Sequence, residues 1–524
     1  MPTGPELLVD RLSGWKSRYG TGGSGELEGL LQRVAQARLR DPALLARLHE
    51  AVLFLRAYPR TVRVARLADR ILASMEGRVA VLRNAAWDLS ALEEPEVSGI
   101  AGTAFSAVFS YPVVRKLAAR NPKLEIDWEA YDRPERLGPV VCRFLLLLNE
   151  DWPVEAHAPF ERWIDAARGR RTGLQYLLGQ IGALPVSERE QADLFDSLDL
   201  PIRMDFSGTA RNRSQLTLAH GPLYVHRDAL IARREVSLAE SLASPRLPIR
   251  RVAGREAKRV LDLILDTSAM RYRELYGFSH PDEDRVFHTT PGRGVDIYFF
   301  GVPPAWRLPL RAYHSGMFFK NGIPAGYVEL LSLFERAEVG FNLYYTFREG
   351  ESAWLYAQLL RLFHQTLGVT TFSVDPYQIG HENEEAIQSG AFWFYRKLGF
   401  RPADPEIARL TEVEERRLAA SPGARSTPRT LRRLAAGYIL YEAPGADPGA
   451  WDRFAIRNLA IAMTRHGAIQ LTDLAPRAGW SAEEKTTLHA IVKAKHSADE
   501  SRYLRLMQRH TRLRAACLRL GSAG

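Results

Sequence analysis

The stretch from Ala325 to Pro402 constrains this chain more than any other. It begins AGYVELLSLFERAEVGFNLYYTFREGESAWLYAQLLRLFHQTLGVTTFSVD and, after a polar connector, ends AFWFYRKLGFRP. The order reads as strand, strand, a loop with one glycine, helix, strand, helix and a Gly-Phe turn. The loop, FREGESA, lies where a strand hands over to a helix. Such a junction offers backbone N–H groups and the positive end of the helix dipole, which suits a phosphate. One glycine before a helix is weak on its own. The ordered elements on both sides give it weight.

Two sets of residues in this stretch have a familiar spacing. Phe347, Gly350 and Ser352 fall on a loop pattern of Gln/Arg, two residues, Gly, one residue, Gly/Ala, with only the glycine strict. Gln388, Ala391, Tyr395, Lys397, Gly399 and Phe400 fall on Asn-x-x-Ala-x-x-x-Tyr-x-Lys-x-Gly-Phe, with only the first position departing. On these residues the segment of roughly 250–445 resembles the GNAT family, the acyl-CoA-dependent N-acyltransferases. The resemblance implies an α+β fold, a GNAT-like mixed sheet with flanking helices. It implies acetyl-CoA or another acyl-CoA as donor. A fold hosts many activities, so function needs its own argument from the site.

N-acyl transfer needs a held thioester, a neutral amine and a protonated leaving thiolate. The resemblance places a general base at Glu338, at the start of AEVGFNLYY, with Glu329 in GYVELL as the second candidate. It places the general acid at Tyr395, whose phenol suits donation to a thiolate. Backbone groups of Leu343, Tyr344 and Tyr345 would pair with the pantetheine arm. The N–H groups of Arg348, Gly350, Glu351, Ser352 and Ala353 would meet the pyrophosphate, with Arg348 adding charge and Gln388 an amide. The carboxylates of Glu349 and Glu351 oppose a bound phosphate unless they point away. His381, Glu382 and Asp375 read as part of a polar connector rather than as metal ligands.

The rest of the 524-residue chain frames this module. Residues 1–240 carry apolar positions at helical spacing and read as a mainly helical domain. Small residues in 99–114 read as close packing between helices. Residues 197–230 turn β-prone, and a boundary is expected at 236–250, where Ser, Pro and a charge shift coincide. Residues 446–524 read as a helical extension ending in one basic amphipathic helix, SRYLRLMQRHTRLRAACLRL. The net charge of +10 suits an anionic cofactor or nucleic acid, though neither is required. Two distant cysteines build no disulfide framework or Cys-rich metal site. No signal peptide is visible, and apolar runs such as Phe144–Leu148 fall far short of the roughly 20 residues of a membrane span. A cytoplasmic N-acyltransferase acting on a primary amine, on a small molecule or a protein, is the expectation. The alternatives are an aminoacyl-tRNA- or acyl-carrier-dependent transferase and a non-catalytic binding module.

Overall fold

The computed structural model of the chain describes residues 4–522 except 21, 220, 422, 469, 475–478 and 498. It divides into two compact units. The first takes the chain up to Ala219 with Leu223–Arg227 and Lys258–His280. The second takes Asp228–Ala257 and Pro281 onward. The segment 236–250 is docked within the second unit. Gln365 Nε2 donates to Ser244 O at 3.0 Å, and its Oε1 accepts from Leu247 N–H at 2.9 Å. Residues 258–280, expected beside the sheet, cluster with the first unit.

In the first unit, helices begin where the sequence supplies caps. Asp41 accepts from Ala43 N–H before Pro42–Ala57, and Thr61 accepts from Val64 N–H before Val62–Ala73. Reciprocal capping boxes from Thr172 and Ser187 open Gly173–Gly182 and Glu188–Asp196. Pro42–Ala57 is buried nearly all round, so it forms a centre rather than a surface layer. The reading of 99–114 as helix packing is corrected. Ala104–Val108 is a strand, β1, which joins β2 (Glu125–Ile126) and β3 (Pro201–Asp205) in a sheet ordered β1-β3-β2.

The second unit is built on a nine-stranded mixed sheet. Its strands are β4 (Ile249–Val252), β5 (Val286–Gly292), β6 (Val295–Gly301), β7 (Ala312–Lys320), β8 (Ile323–Leu333), β9 (Arg336–Leu343), β10 (Thr371–Val374), β11 (Arg401–Pro402) and β12 (Ile439–Glu442). Their spatial order is β11-β12-β10-β9-β8-β7-β6-β5-β4. Asn321 and Gly322 both take positive φ and close the β7–β8 hairpin, as that dipeptide predicts. β10 lies parallel to β9, so a crossover must join them. The helix Ser352–Leu367 supplies it and stops at Gly368, whose φ is 68°. The chain as a whole is therefore α+β. Among the described residues no helix is long and apolar enough to cross a membrane.

The C-terminal residues, expected as an extension, belong to the second unit. The expected single basic helix is two, Glu500–Arg509 and Thr511–Ser522, separated at His510. Together with Trp451, which lies outside both helices, they grip the β8–β9 turn. Trp451 Nε1 and Arg514 Nε donate to Glu335 Oε1 at 2.8 and 2.7 Å. Gln508 Nε2 donates to Phe334 O at 3.1 Å and to Leu367 O at 2.8 Å.

The β8–β9 pairing tolerates no side chain at Gly326. A Cβ there would stand 2.2 Å from Asn342 O and 2.4 Å from the Phe318 ring. Gly326→Ala is expected to cost about 1–3 kcal/mol. A lower urea midpoint at unchanged slope would show it, and an unchanged midpoint would contradict this packing.

Candidate functional site

The sheet opens between β9 and β10. Arg336, Ala337 and Glu338 pair with Thr371, Phe372 and Ser373, and there the parallel ladder ends. β9 runs on to Leu343, still paired with β8 on its other edge. β10 stops at Val374, and Asp375 caps a one-turn helix, Pro376–Ile379. Val339–Leu343 therefore presents one backbone edge to a cleft. Gln378, on that short helix, reaches into it. Its Nε2 donates to Val339 O at 3.0 Å, and its Oε1 accepts from Phe341 N–H at 3.1 Å.

The loop expected to meet a phosphate sits past the end of β9. Leu343 and Tyr344 are buried and Tyr345 is exposed. Tyr345–Phe347 forms a single 3₁₀ turn, and Gly350 N–H donates to Phe347 O at 2.9 Å. Ser352 and Ala353 open the crossover helix, whose N-cap residue, Glu351, makes no side-chain cap bond. The first-turn N–H groups are thus not taken by a local cap. Arg348 pairs with Glu385 and lies 5.5 Å from the centre of the Tyr345 ring.

Glu351 resolves the concern over its charge. Its side chain is 1% exposed and turns inward, where Lys320 Nζ donates to it at 3.2 Å. Arg293 forms a second ion pair with it, and Ile231 N–H donates at 3.2 Å. Burial lowers the Lys320 amine to about 8, the carboxylate opposing this in part. The side chain of Glu351 is thus an internal anchor of the loop. Lys320 and Arg293 were not singled out from the sequence. Only the hairpin position of Lys320, next to Asn321-Gly322, was visible there.

Tyr395 and Gln388 do not share a helix. The helical stretch before the Gly-Phe turn breaks at Gly390, φ 66°, into Glu384–Ser389 and Ala391–Arg396. Gln388 is exposed on the first piece. Tyr395 is 4% exposed on the second, and its ring meets Tyr356 edge-on at 5.5 Å. Its O–H donates to Gln378 Oε1 at 3.5 Å, so the hydroxyl reaches the cleft. Burial raises its pKa, which keeps the phenol protonated.

The two carboxylates lie on one face of the sheet. Alternation puts Ala337, Val339 and Phe341 on the face of the crossover helix, where Phe341 meets Tyr356 at 5.0 Å. Glu338 and Gly340 therefore face the other way. Gly340 sits opposite Glu329. A Cβ on Gly340 would be 3.5 Å from both Glu329 Cβ and Gln378 Nε2. Glu329 thus stands beside the cleft. Burial raises its pKa, while a hydrogen bond from Tyr313 pulls the other way. Glu338 lies nearer the closed end of the ladder, with Arg311 at 3.5 Å and Arg336 at 3.9 Å.

Two other clusters do not make catalytic sites. A cavity of about 490 Å³ lies at Gln365–Leu367, the far end of the crossover helix. Sixteen helical residues span about 24 Å, so it is remote from the cleft. Of its charges, Arg285 pairs with Asp499 at 3.1 Å and Arg307 with Glu500 at 3.8 Å. In the first unit His49 lies 3.1 Å from Ser214 Oγ and 2.9 Å from Glu50. Those spacings resemble a nucleophile triad, yet all three are buried and Arg213 occupies Glu50 at 2.7 Å. It is a satisfied core network. Among the described residues no group of acidic, His and Cys side chains could hold a metal.

Glu351→Ala leaves the buried Lys320 and the partly exposed Arg293 without this carboxylate and is expected to cost about 3–5 kcal/mol. Chemical denaturation measures this; a loss below 1 kcal/mol would contradict the anchor role. The lysine has a signed pH effect. Its native pKa of about 8 lies below the ordinary 10.5, so the unfolded chain binds the extra proton between them. Its contribution to stability should rise with pH across that window. Lys320→Met should flatten that rise. No protein-family model, no curated protein and no solved structure matches this chain.

Proposed function

We propose that the second unit is a GNAT-type N-acyltransferase that moves an acyl group, acetyl or another, from acyl-CoA to a primary amine on a small molecule or a protein. The observation that carries this is the cleft at the end of the β9–β10 ladder. It combines one backbone edge, a buried tyrosine hydroxyl and a desolvated carboxylate. The crossover helix turns its N-terminus toward the loop just past that edge. The edge at Val339–Leu343 suits the amides of a pantetheine arm, and the first-turn N–H groups at Ser352 and Ala353 suit its pyrophosphate. With Glu351 turned inward, one of the two opposing charges is removed.

The chemistry divides between two faces. Glu329 takes a proton from the ammonium. The neutral amine attacks the thioester carbonyl, the C–N bond forms, the C–S bond breaks and the nitrogen releases its second proton. Tyr395 gives its proton to the departing thiolate and is restored by that second proton through solvent, while Glu329 returns its own proton to solvent. We prefer Glu329 to Glu338 as base because burial raises its proton affinity, whereas two guanidinium groups flank Glu338. Of the arginines on the last two helices, Arg505, Arg512 and Arg514 are paired with Asp499, Glu484 and Glu335. A cytoplasmic location fits the supply of acyl-CoA.

The test is thiol release from acetyl-CoA over a panel of amines. Tyr395→Phe should lose about 10²–10⁴ in kcat. Glu329→Gln should lose a similar factor near neutral pH. The wild-type rate should climb with pH through a limb above the ordinary carboxylate range, since a raised pKa delays formation of the base. Loss of that limb in Glu329→Gln would identify it. If Glu329→Gln keeps full activity and Glu338→Gln does not, the base is Glu338. If calorimetry shows no binding of CoA to wild type or to Gln378→Ala, the donor assignment fails.

A further inference from the structure

We propose that Gln378 is a built-in competitor for the donor's arm: its side-chain amide occupies the strand positions that an extended amide-bearing ligand must take. The inference rests on the acyltransferase reading above and adds the residue that sets its donor affinity. A strand edge left by its neighbour exposes N–H and C=O groups that need partners. Here one carboxamide satisfies two of them at once. It donates to Val339 O at 3.0 Å and accepts from Phe341 N–H at 3.1 Å, one residue either side of Gly340. Those are one donor and one acceptor of a single amide, the same functional group that pantetheine carries along its chain.

The surroundings favour a side chain that can leave. Gln378 sits on one turn of helix, held by Asp375, which accepts from Tyr377 N–H at 2.8 Å. That anchor is made by neighbouring residues and survives rotation of the Gln378 side chain. Gly340 lines the spot without a Cβ, and a Cβ there would already touch the carboxamide. The same carboxamide accepts from the Tyr395 hydroxyl at 3.5 Å. Displacing it therefore does two things together: it opens the β9 edge and releases the hydroxyl toward the incoming thioester. Gln378 acts as a positioning residue, and the ligand class it selects is a flexible chain with a secondary amide.

The experiment is calorimetric titration with CoA of wild type, Gln378→Ala and Gln378→Met. The methionine variant keeps the volume and removes both hydrogen bonds. Binding about tenfold tighter in both variants is expected, because no internal bonds need breaking first. Hydrogen exchange at Phe341 N–H should also quicken in the ligand-free variants. Binding by the variants where wild type shows none would support the proposal equally. Unchanged or weaker CoA binding in both variants would overturn it and leave the acyltransferase reading standing. If neither wild type nor variants bind CoA, the acyltransferase reading falls and this proposal falls with it.

Discussion

The parallel pairing of β9 with β10 governs the second unit. Parallel neighbours cannot be joined by a tight turn, so the chain must leave the sheet, cross it as a helix and return. That requirement sets the Ser352–Leu367 helix against one face and brings its N-terminus to the end of β9. Because only three register pairs form before β10 ends, the strand edge and the helix end converge on one cleft. The cleft and the loop that opens the helix are thus two consequences of one connection. The opposite end of the same helix is stapled by Gln508 at Leu367 and closed by Gly368.

A cleft in a sheet costs unpaired backbone groups, and the molecule offsets that cost in two ways. Far from the opening, Gln508 and Arg514 of the C-terminal helices hold the β8–β9 turn with Trp451. That keeps β9 in register from its start, since a one-residue slip would move Glu338 and Phe341 to each other's faces. At the opening, Gln378 stands in for the missing strand. The loop beyond is steadied from beneath by Glu351 against Lys320 and Arg293. Buried ion groups of this kind contribute little net stability but penalise every arrangement that separates them. They restrict where the helix N-terminus can point.

Much of this was legible in residues 312–374. The β7–β8 hairpin followed from Asn321-Gly322, and the crossover helix and its stop followed from its apolar spacing and Gly368. These are local signals, set by φ preferences and burial of one face. What was missed depends on non-local partners. β5 pairs on both edges, and its run VFHTTPG has no clean alternation to mark it. β1 is a strand because β3, nearly a hundred residues on, lies beside it. Gly390 was overlooked inside a motif that spans it, although Ser389-Gly390 is itself a stop signal. Gln378 looked like one more polar residue in DPYQIGHENEE. No spacing rule reveals that its amide would meet a strand edge.

The candidate acid and base show why position on the sheet matters more than residue type. Glu338 and Glu329 are the same side chain on the same face, on adjacent strands. One has two arginines within 4 Å, so its charge is already answered. The other is partly buried with the Tyr313 hydroxyl donating to it, and burial raises its affinity for a proton. Tyr395 is pushed the same way by burial, but for a phenol this preserves the donor rather than creating an acceptor. The same desolvation therefore prepares one group to take a proton and the other to hold one. Between them runs the β9 edge, whose geometry is set by its backbone. In the acyl transfer we propose, an acyl group held along that edge lies between the two, with the amine reaching it from the glutamate face and the thiolate leaving toward the tyrosine.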